Sequence, residues 1–268
     1  MCEKNGVMKF NRVFELEGVH NFRDFGSYPV AGGGRLKRGL LWRSGQHHGA
    51  SNADLMKIAE LGLVDIFDLR SSKEREIHPC RRPPGSAAIV HTGGDPAGIA
   101  APHVAAAASS GRRDAASTRE AMQRNYGAIA FRPELIDMTR RYLGVLAQGR
   151  GPSLVNCMAG KDRTGIAAAM VQLAAGVHCD DVIADYVLTN TAGDVEARIA
   201  AGADALKAMA RQMEGEALRV IMSVEAKYLE LAFAAIGESY GSVDGYLREV
   251  LGVDDALRGR LREVLVEG

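Results

Sequence analysis

Short apolar runs, turn residues and stretches of helical period alternate along the first third of the chain. Leu40-Leu41-Trp42 follows the glycine-rich turn AGGGRLKRG and reads as a strand. SNADLMKIAELG (51–62) predicts a short helix, with Ser51 placed to cap, Asp54 three residues on and Gly62 as its stop. LVDIFDL (63–69) and AAIVH (87–91) read as buried strands. Strand, helix and strand at this spacing predict a parallel sheet with helical crossovers. Further on, RPELIDMTRRYLGVLA (132–147) puts Leu135, Met138, Tyr142, Leu143 and Leu146 on one helical face. Ser153-Leu154-Val155 reads as a central strand. GIAAAMVQLAAG (165–176) is apolar nearly all round, as a helix inside the core would be, and DDVIADYVLTN continues as helix.

Between Gly93 and about Thr118 this pattern dissolves into Gly, Pro, Ala and Ser. Bulky apolar residues are scarce there, so the segment reads as an excursion attached to ordered structure at both ends, either a functional lid or a disordered insertion. The C-terminal part reads as helical throughout. Val220, Val224, Tyr228, Leu231 and Ala235 form one apolar stripe, and SVDGYLREVLG and DDALRGRLREVL form two short capped helices. The expectation is an α/β chain, residues 1–268 in one domain. The insertion covers about 93–118 and a helical elaboration about 191–268.

Composition narrows the function classes. Lys+Arg and Asp+Glu both total 33, for a formal net charge of zero, which argues against bulk nucleic-acid binding but permits a local anion site. Cys2, Cys80, Cys157 and Cys179 show neither metal-ligand spacing nor a disulfide framework, which favours a reduced intracellular protein. No apolar stretch has the length of a signal peptide or a membrane span, so a cytoplasmic location is expected. A non-standard secretion route would leave no mark in such a sequence. His47-His48 and His78-Pro79-Cys80 lack a partner set for a metal and read as surface loops. Arg23 and Asp24 read as ties between the N-terminal segment and the sheet. Arg43 and Arg70, at predicted strand ends, either frame a positive mouth or sit in buried ion pairs. Arg112, Arg113 and Arg119 either receive an anionic substrate or form a solvated charge run.

The chemistry concentrates in NCMAGKDRTG (156–165), between the predicted central strand and the apolar helix. Backbone N–H groups in such a loop, together with a helix N-terminus, bind phosphate and stabilise a thiolate. Lys161 and Arg163 add positive charge, so Cys157 is a candidate nucleophile with a depressed pKa. The Arg163 fork suits two phosphate oxygens, and the Thr164 hydroxyl can assist the departing sulfur. Met158, Ala159, Gly160, Lys161, Asp162, Arg163 and Thr164 are thus the expected phosphate cradle. A Walker-type nucleotide loop fails at Val155 and Asp162.

NCMAGKDRTG resembles the HCxAGKDRTG loop of the cysteine-dependent tyrosine phosphatases, in the bacterial branch that also dephosphorylates phosphoinositides. NFRDFGSYPV (21–30), LLWRSG (40–45), DIFDLRSSKER (65–75) and YLELAFAAIGESYGSVDGYLREVLG (228–252) resemble further segments of that branch, in order. The resemblance implies a four-stranded parallel sheet flanked by helices, a helical lid and phosphomonoester hydrolysis without metal or cofactor. The implied partners are a phosphorylated protein or a phosphoinositide, with inorganic phosphate in the loop. Catalytic roles fall on Cys157 as nucleophile and on Arg163; Lys161 matches the loop lysine associated with dual-specific or phosphoinositide activity. Asp95 falls where the branch carries a lid aspartate and is favoured as general acid for its reach, with Asp162 assisting. Asn156 stands where the family has histidine, so the thiolate loses a charged neighbour. That departure supports a rival reading, a phosphate-binding module of weak turnover that recognises phosphorylated partners. A sulfur transferase or arsenate reductase shares the loop physics but not GKDRTG or the flanking resemblances.

Overall fold

The computed structural model describes residues 12–94, 114–196 and 215–268. Most of the lid-like insertion, with Asp95, Arg112 and Arg113, and part of the helical elaboration lie outside the described residues. Among the described residues five strands form the central sheet: β1 (Arg23–Asp24), β3 (Leu41–Ser44), β6 (Ser153–Asn156), β4 (Asp65–Asp68) and β5 (Ile89–Thr92), in that spatial order. The last four run parallel, as expected, and the short β1 adds itself antiparallel to β3. A second, two-stranded sheet pairs β2 (Arg35–Leu36) with β7 (Val266–Glu267) and ties the N-terminal part to the chain's end.

Alternation along the strands builds two cores. Leu41, Phe67 and Val155 point into the larger one, whereas Trp42, Ile66 and Leu154 point into a smaller one on the opposite face. The smaller core is closed by α1 (Asn52–Ala59), whose start has the full capping box of Ser51 and Asp54. A second capping box, Ser71 with Glu74, opens α2 (Ser72–Ile77).

The larger core is filled by helices. α3 (Ala115–Ile129) is capped by Asp114, and α4 (Pro133–Leu146) buries the five residues its period predicted. α5 (Asp162–Ala175) is buried nearly all round and ends at Gly176, whose φ of 98° supplies the left-handed stop. α6 (Cys179–Val187) and α7 (Thr189–Ala192) follow, then α8 (Gly215–Met222), α9 (Ala226–Tyr240), α10 (Val243–Glu249) and α11 (Asp255–Leu265).

The stripe expected from Val220 to Ala235 is a correction. It is broken between α8 and α9, because the Asn190 side chain takes both backbone groups of Val224. Its amide donates to the carbonyl at 2.9 Å, and its oxygen accepts from the N–H at 2.8 Å. The buried face restarts as Tyr228, Leu229, Ala232 and Ile236, leaving Leu231 and Ala235 only half-buried. Among the described residues, no helix is long and apolar enough to cross a membrane.

Candidate active site

Ser44, Asn156, Asp68 and Thr92 lie in register at the C-terminal edge of the four parallel strands, where open α/β sheets bind ligands. The loop carrying Cys157 leaves this edge from its middle, at β6, and turns into α5. Cys157 is buried, and Met158 and Ala159 are half-buried. Gly160 has φ +64°, and a Cβ there would lie 2.4 Å from the Ser44 carbonyl, so only glycine passes. Among the described residues no side chain caps α5, which leaves its first N–H groups and the positive end of its dipole directed at the loop.

The loop carbonyls are taken from the β1–β3 side. Met158 accepts from the Gln46 N–H at 3.1 Å, and Ala159 accepts from Asn21 Nδ2 at 3.4 Å. The Gly160 carbonyl accepts from Asn21 Nδ2 at 2.7 Å and from Arg43 Nη2 at 3.1 Å.

Arg163, one residue into α5, is held in a two-pronged pair with Glu74: Nη1 to Oε2 at 2.7 Å and Nη2 to Oε1 at 2.8 Å. Its Nη1 also donates to the Leu69 carbonyl at 3.0 Å. Burial disfavours the Glu74 carboxylate, but hydrogen bonds from Arg163, its charge and the Ser71 cap outweigh this and hold the pKa at about 2. Burial likewise opposes the Arg163 cation. Its bond to Glu74, followed by the charges of Cys157, Glu74 and Asp162, raises the pKa above the ordinary arginine value. Glu74 was not singled out from the sequence. Its signal was present in Ser71-x-x-Glu74, where one carboxylate both caps α2 and aims Arg163.

The remaining loop residues divide. Lys161 is buried, and its ammonium points away from the loop's centre, donating to the carbonyls of Ile221 and Ser223, the latter at 3.3 Å, at the end of α8. Asp162 accepts a hydrogen bond from the Tyr126 hydroxyl at 2.5 Å, and Tyr186 donates to Tyr126 at 2.6 Å. Burial first, and the Asp162 charge next, push both tyrosine pKa values well up, so the phenols remain donors. Thr164 Oγ1 and Asn156 Oδ1 are buried without a partner among the described residues, and Asn156 donates to Asp68 at 3.3 Å. Arg132, before α4, lies within electrostatic reach of Arg163 and Asp162; burial lowers its pKa and the Arg163 charge adds to this.

The other singled-out residues are tied into ion pairs and backbone contacts, Arg43 reaching the loop as well. Arg43 pairs with Asp185 at 2.7 Å and Arg70 with Asp68 at 2.7 Å, both buried. Arg23 and Asp24 tie β1 to its surroundings, Arg23 to Asp185 and Asp24 to the N–H groups of Gly26 and Gly39. Arg119 pairs with Glu225 at 2.7 Å. His47 corrects the surface-loop expectation: it is buried, 2.9 Å from Ser44 Oγ, and burial with nearby Arg82 and Arg70 lowers its pKa to about 3. His48 is exposed, and no metal-holding group of His, Cys, Asp or Glu occurs among the described residues.

This geometry agrees with the comparisons to known proteins. Residues 14–267 match the profile of the tyrosine phosphatase family. The chain is 35% identical over 251 residues to a Cupriavidus necator protein provisionally named a tyrosine-protein phosphatase, covering 91% of this chain and 86% of the relative. It is 33% identical over 289 positions to the triple specificity protein phosphatase PtpB of Mycobacterium tuberculosis, covering 95% of this chain and 99% of the relative. The chain belongs to the tyrosine phosphatase family and is a protein-tyrosine phosphatase.

Proposed function

We propose that the chain is one cytoplasmic phosphatase domain that hydrolyses phosphotyrosine through a cysteinyl-phosphate at Cys157. Phosphoserine, phosphothreonine and phosphoinositides are further substrates in this reading. The observation that carries it is the Cys157–Arg163 loop at the middle of the sheet's C-terminal edge, with Arg163 aimed by Glu74. The Cys157 thiolate attacks phosphorus while the loop N–H groups and Arg163 hold the equatorial oxygens. As the bond from phosphorus to the leaving oxygen breaks, that oxygen takes a proton from a carboxylic acid. Asp95, outside the described residues, is the favoured acid; Asp162, bound to Tyr126, is the second candidate. Water then attacks the phosphocysteine, the sulfur–phosphorus bond breaks, and inorganic phosphate leaves. Thr164 Oγ1, buried and without a partner among the described residues, donates to the departing sulfur.

The test is acid quenching of the enzyme during p-nitrophenyl phosphate turnover with chelator present, followed by mass analysis of the Cys157 peptide. A phosphoryl group on Cys157 is expected; sustained turnover with none detectable at any quench time would overturn the mechanism. On a substrate with a poor leaving group, the Asp95→Asn variant is expected to lose about a hundredfold in kcat. A loss confined to Asp162→Asn would transfer the role.

Glu74→Gln should lower kcat/KM by about ten- to a hundredfold, because a charge-assisted pair that orients Arg163 contributes about 1.5–3 kcal/mol. Steady-state kinetics and inorganic phosphate inhibition, measured together, check this. Unchanged phosphate inhibition would mean that Arg163 needs no such partner.

A further inference from the structure

We propose that Asn21 is a positioning residue of the phosphate loop, aimed by Arg23 and Asp185 and acting with Arg43 to turn the loop's N–H groups toward the substrate. The argument begins with covalent geometry. No cis peptide bond occurs among the described residues, and in a trans peptide the C=O and the following N–H point in opposite directions. Gln46, Asn21 and Arg43 together draw the carbonyls of Met158, Ala159 and Gly160 toward the β1–β3 side. The N–H groups of Ala159, Gly160 and Lys161 must therefore face the other way. None of the three donates to a protein acceptor among the described residues. Three successive amides facing away from their carbonyl partners are what an oxyanion requires.

Asn21 is unusual in several independent respects. It is buried, and its φ of 59° places a non-glycine residue in the left-handed region, which Asn tolerates better than most side chains. Its own N–H is fixed by the Ala192 carbonyl at 3.0 Å. The orientation of its amide is also fixed. Arg23 Nη1, which can only donate, meets Oδ1, so Nδ2 must face the carbonyls of Ala159 and Gly160. Arg23 is itself held by Asp185, through Nε to the carboxylate at 3.3 Å and Nη2 to the backbone carbonyl at 2.8 Å. The same carboxylate holds Arg43, the second donor to Gly160. One buried aspartate on α6 thus aims both donors that reach the Gly160 carbonyl.

Two variants separate the donor from the backbone. Asn21→Asp keeps size and left-handed tolerance but places an acceptor against the loop carbonyls. Asn21→Gly keeps the backbone freedom and removes the side chain. Inorganic phosphate binding by calorimetry and the pH dependence of Cys157 alkylation by iodoacetamide are measured beside the melting temperature. The expected result is phosphate binding weakened about tenfold in both variants, with the alkylation profile displaced to higher pH. A purely structural role would lower the melting temperature without moving either readout in the folded protein. Phosphate affinity and alkylation profile unchanged from wild type in either folded variant would overturn the proposal. The inference rests on the phosphatase reading, and the wild type tests that reading separately. A wild type that binds no phosphate sinks the reading, whereas normal wild-type binding with unaltered variants sinks only the role of Asn21.

Discussion

Cys157→Ser is expected to remove turnover, with a loss on the order of 10⁴-fold or more, while leaving inorganic phosphate binding within a few-fold of wild type. The two halves of this expectation come from different parts of the loop. Attack on phosphorus needs a charged nucleophile, and a thiol reaches its anion at neutral pH where an alcohol does not. The loop carrying Cys157 leads into the uncapped N-terminus of α5, and the Cys157 charge helps raise the Arg163 pKa. A serine hydroxyl at this position would need a base. The nearby Asp162 carboxylate already accepts from Tyr126 and lies 3.6 Å from the Lys161 ammonium. In the proposed mechanism backbone N–H groups and Arg163 hold phosphate, and the substitution leaves them in place; losing the thiolate removes a repulsion between anions. Steady-state hydrolysis of p-nitrophenyl phosphate and calorimetric phosphate binding, on the same preparation, read both halves. Turnover within about tenfold of wild type would overturn the nucleophile assignment. Lost phosphate binding in a folded variant would show that the loop depends on the sulfur for its shape.

The sequence revealed local features most clearly. The Ser51 cap, the buried faces of α4 and α5, and the central position of β6 follow from periodicity and capping over a few residues. The loop was legible because strand, small residues, cations and helix are contiguous. Contacts closed by distant partners were not legible. Lys161 looks like a phosphate ligand in its own segment, yet its ammonium ends on carbonyls of Ile221 and Ser223. His47 sits beside His48 in a polar stretch, but the chain carries it under Arg82 and against Phe22. The stripe from Val220 to Ala235 has good helical spacing; Asn190, from another helix, breaks it. In each case local pattern gives the element or residue type, and a side chain from another part of the chain decides its direction. Asp185 is the strongest instance, an acidic residue within the helical run DDVIADYVLTN that gives no local sign of its two buried cations.

Asp185→Ala is accordingly expected to destabilise the fold by about 3–5 kcal/mol, lowering the melting temperature on the order of 10 °C. Arg23, Arg43 and Asp185 are each at most 1% exposed, so removing the carboxylate strands two guanidinium groups in the interior. Burial, and after it the Arg43 charge, lower the Arg23 pKa to about 10, against the opposing charge and hydrogen bond of Asp185. For Asp185 itself, burial would raise the pKa, but the charges and hydrogen bonds of Arg23 and Arg43 outweigh it and set it below the ordinary carboxylate value. A folded pKa below the unfolded one means that stabilisation is fully present above about pH 4 and is lost as pH falls through the depressed folded value. The gap between wild type and variant, measured by urea unfolding, should therefore be widest near neutrality and narrow in acid. A penalty below about 1 kcal/mol near neutrality would show that water or backbone carbonyls satisfy the two arginines unaided. The catalytic consequence follows from the same atoms. Without Asp185, neither Arg43 nor the Asn21 amide is aimed at the Gly160 carbonyl, so folded Asp185→Ala protein should also bind phosphate more weakly than wild type.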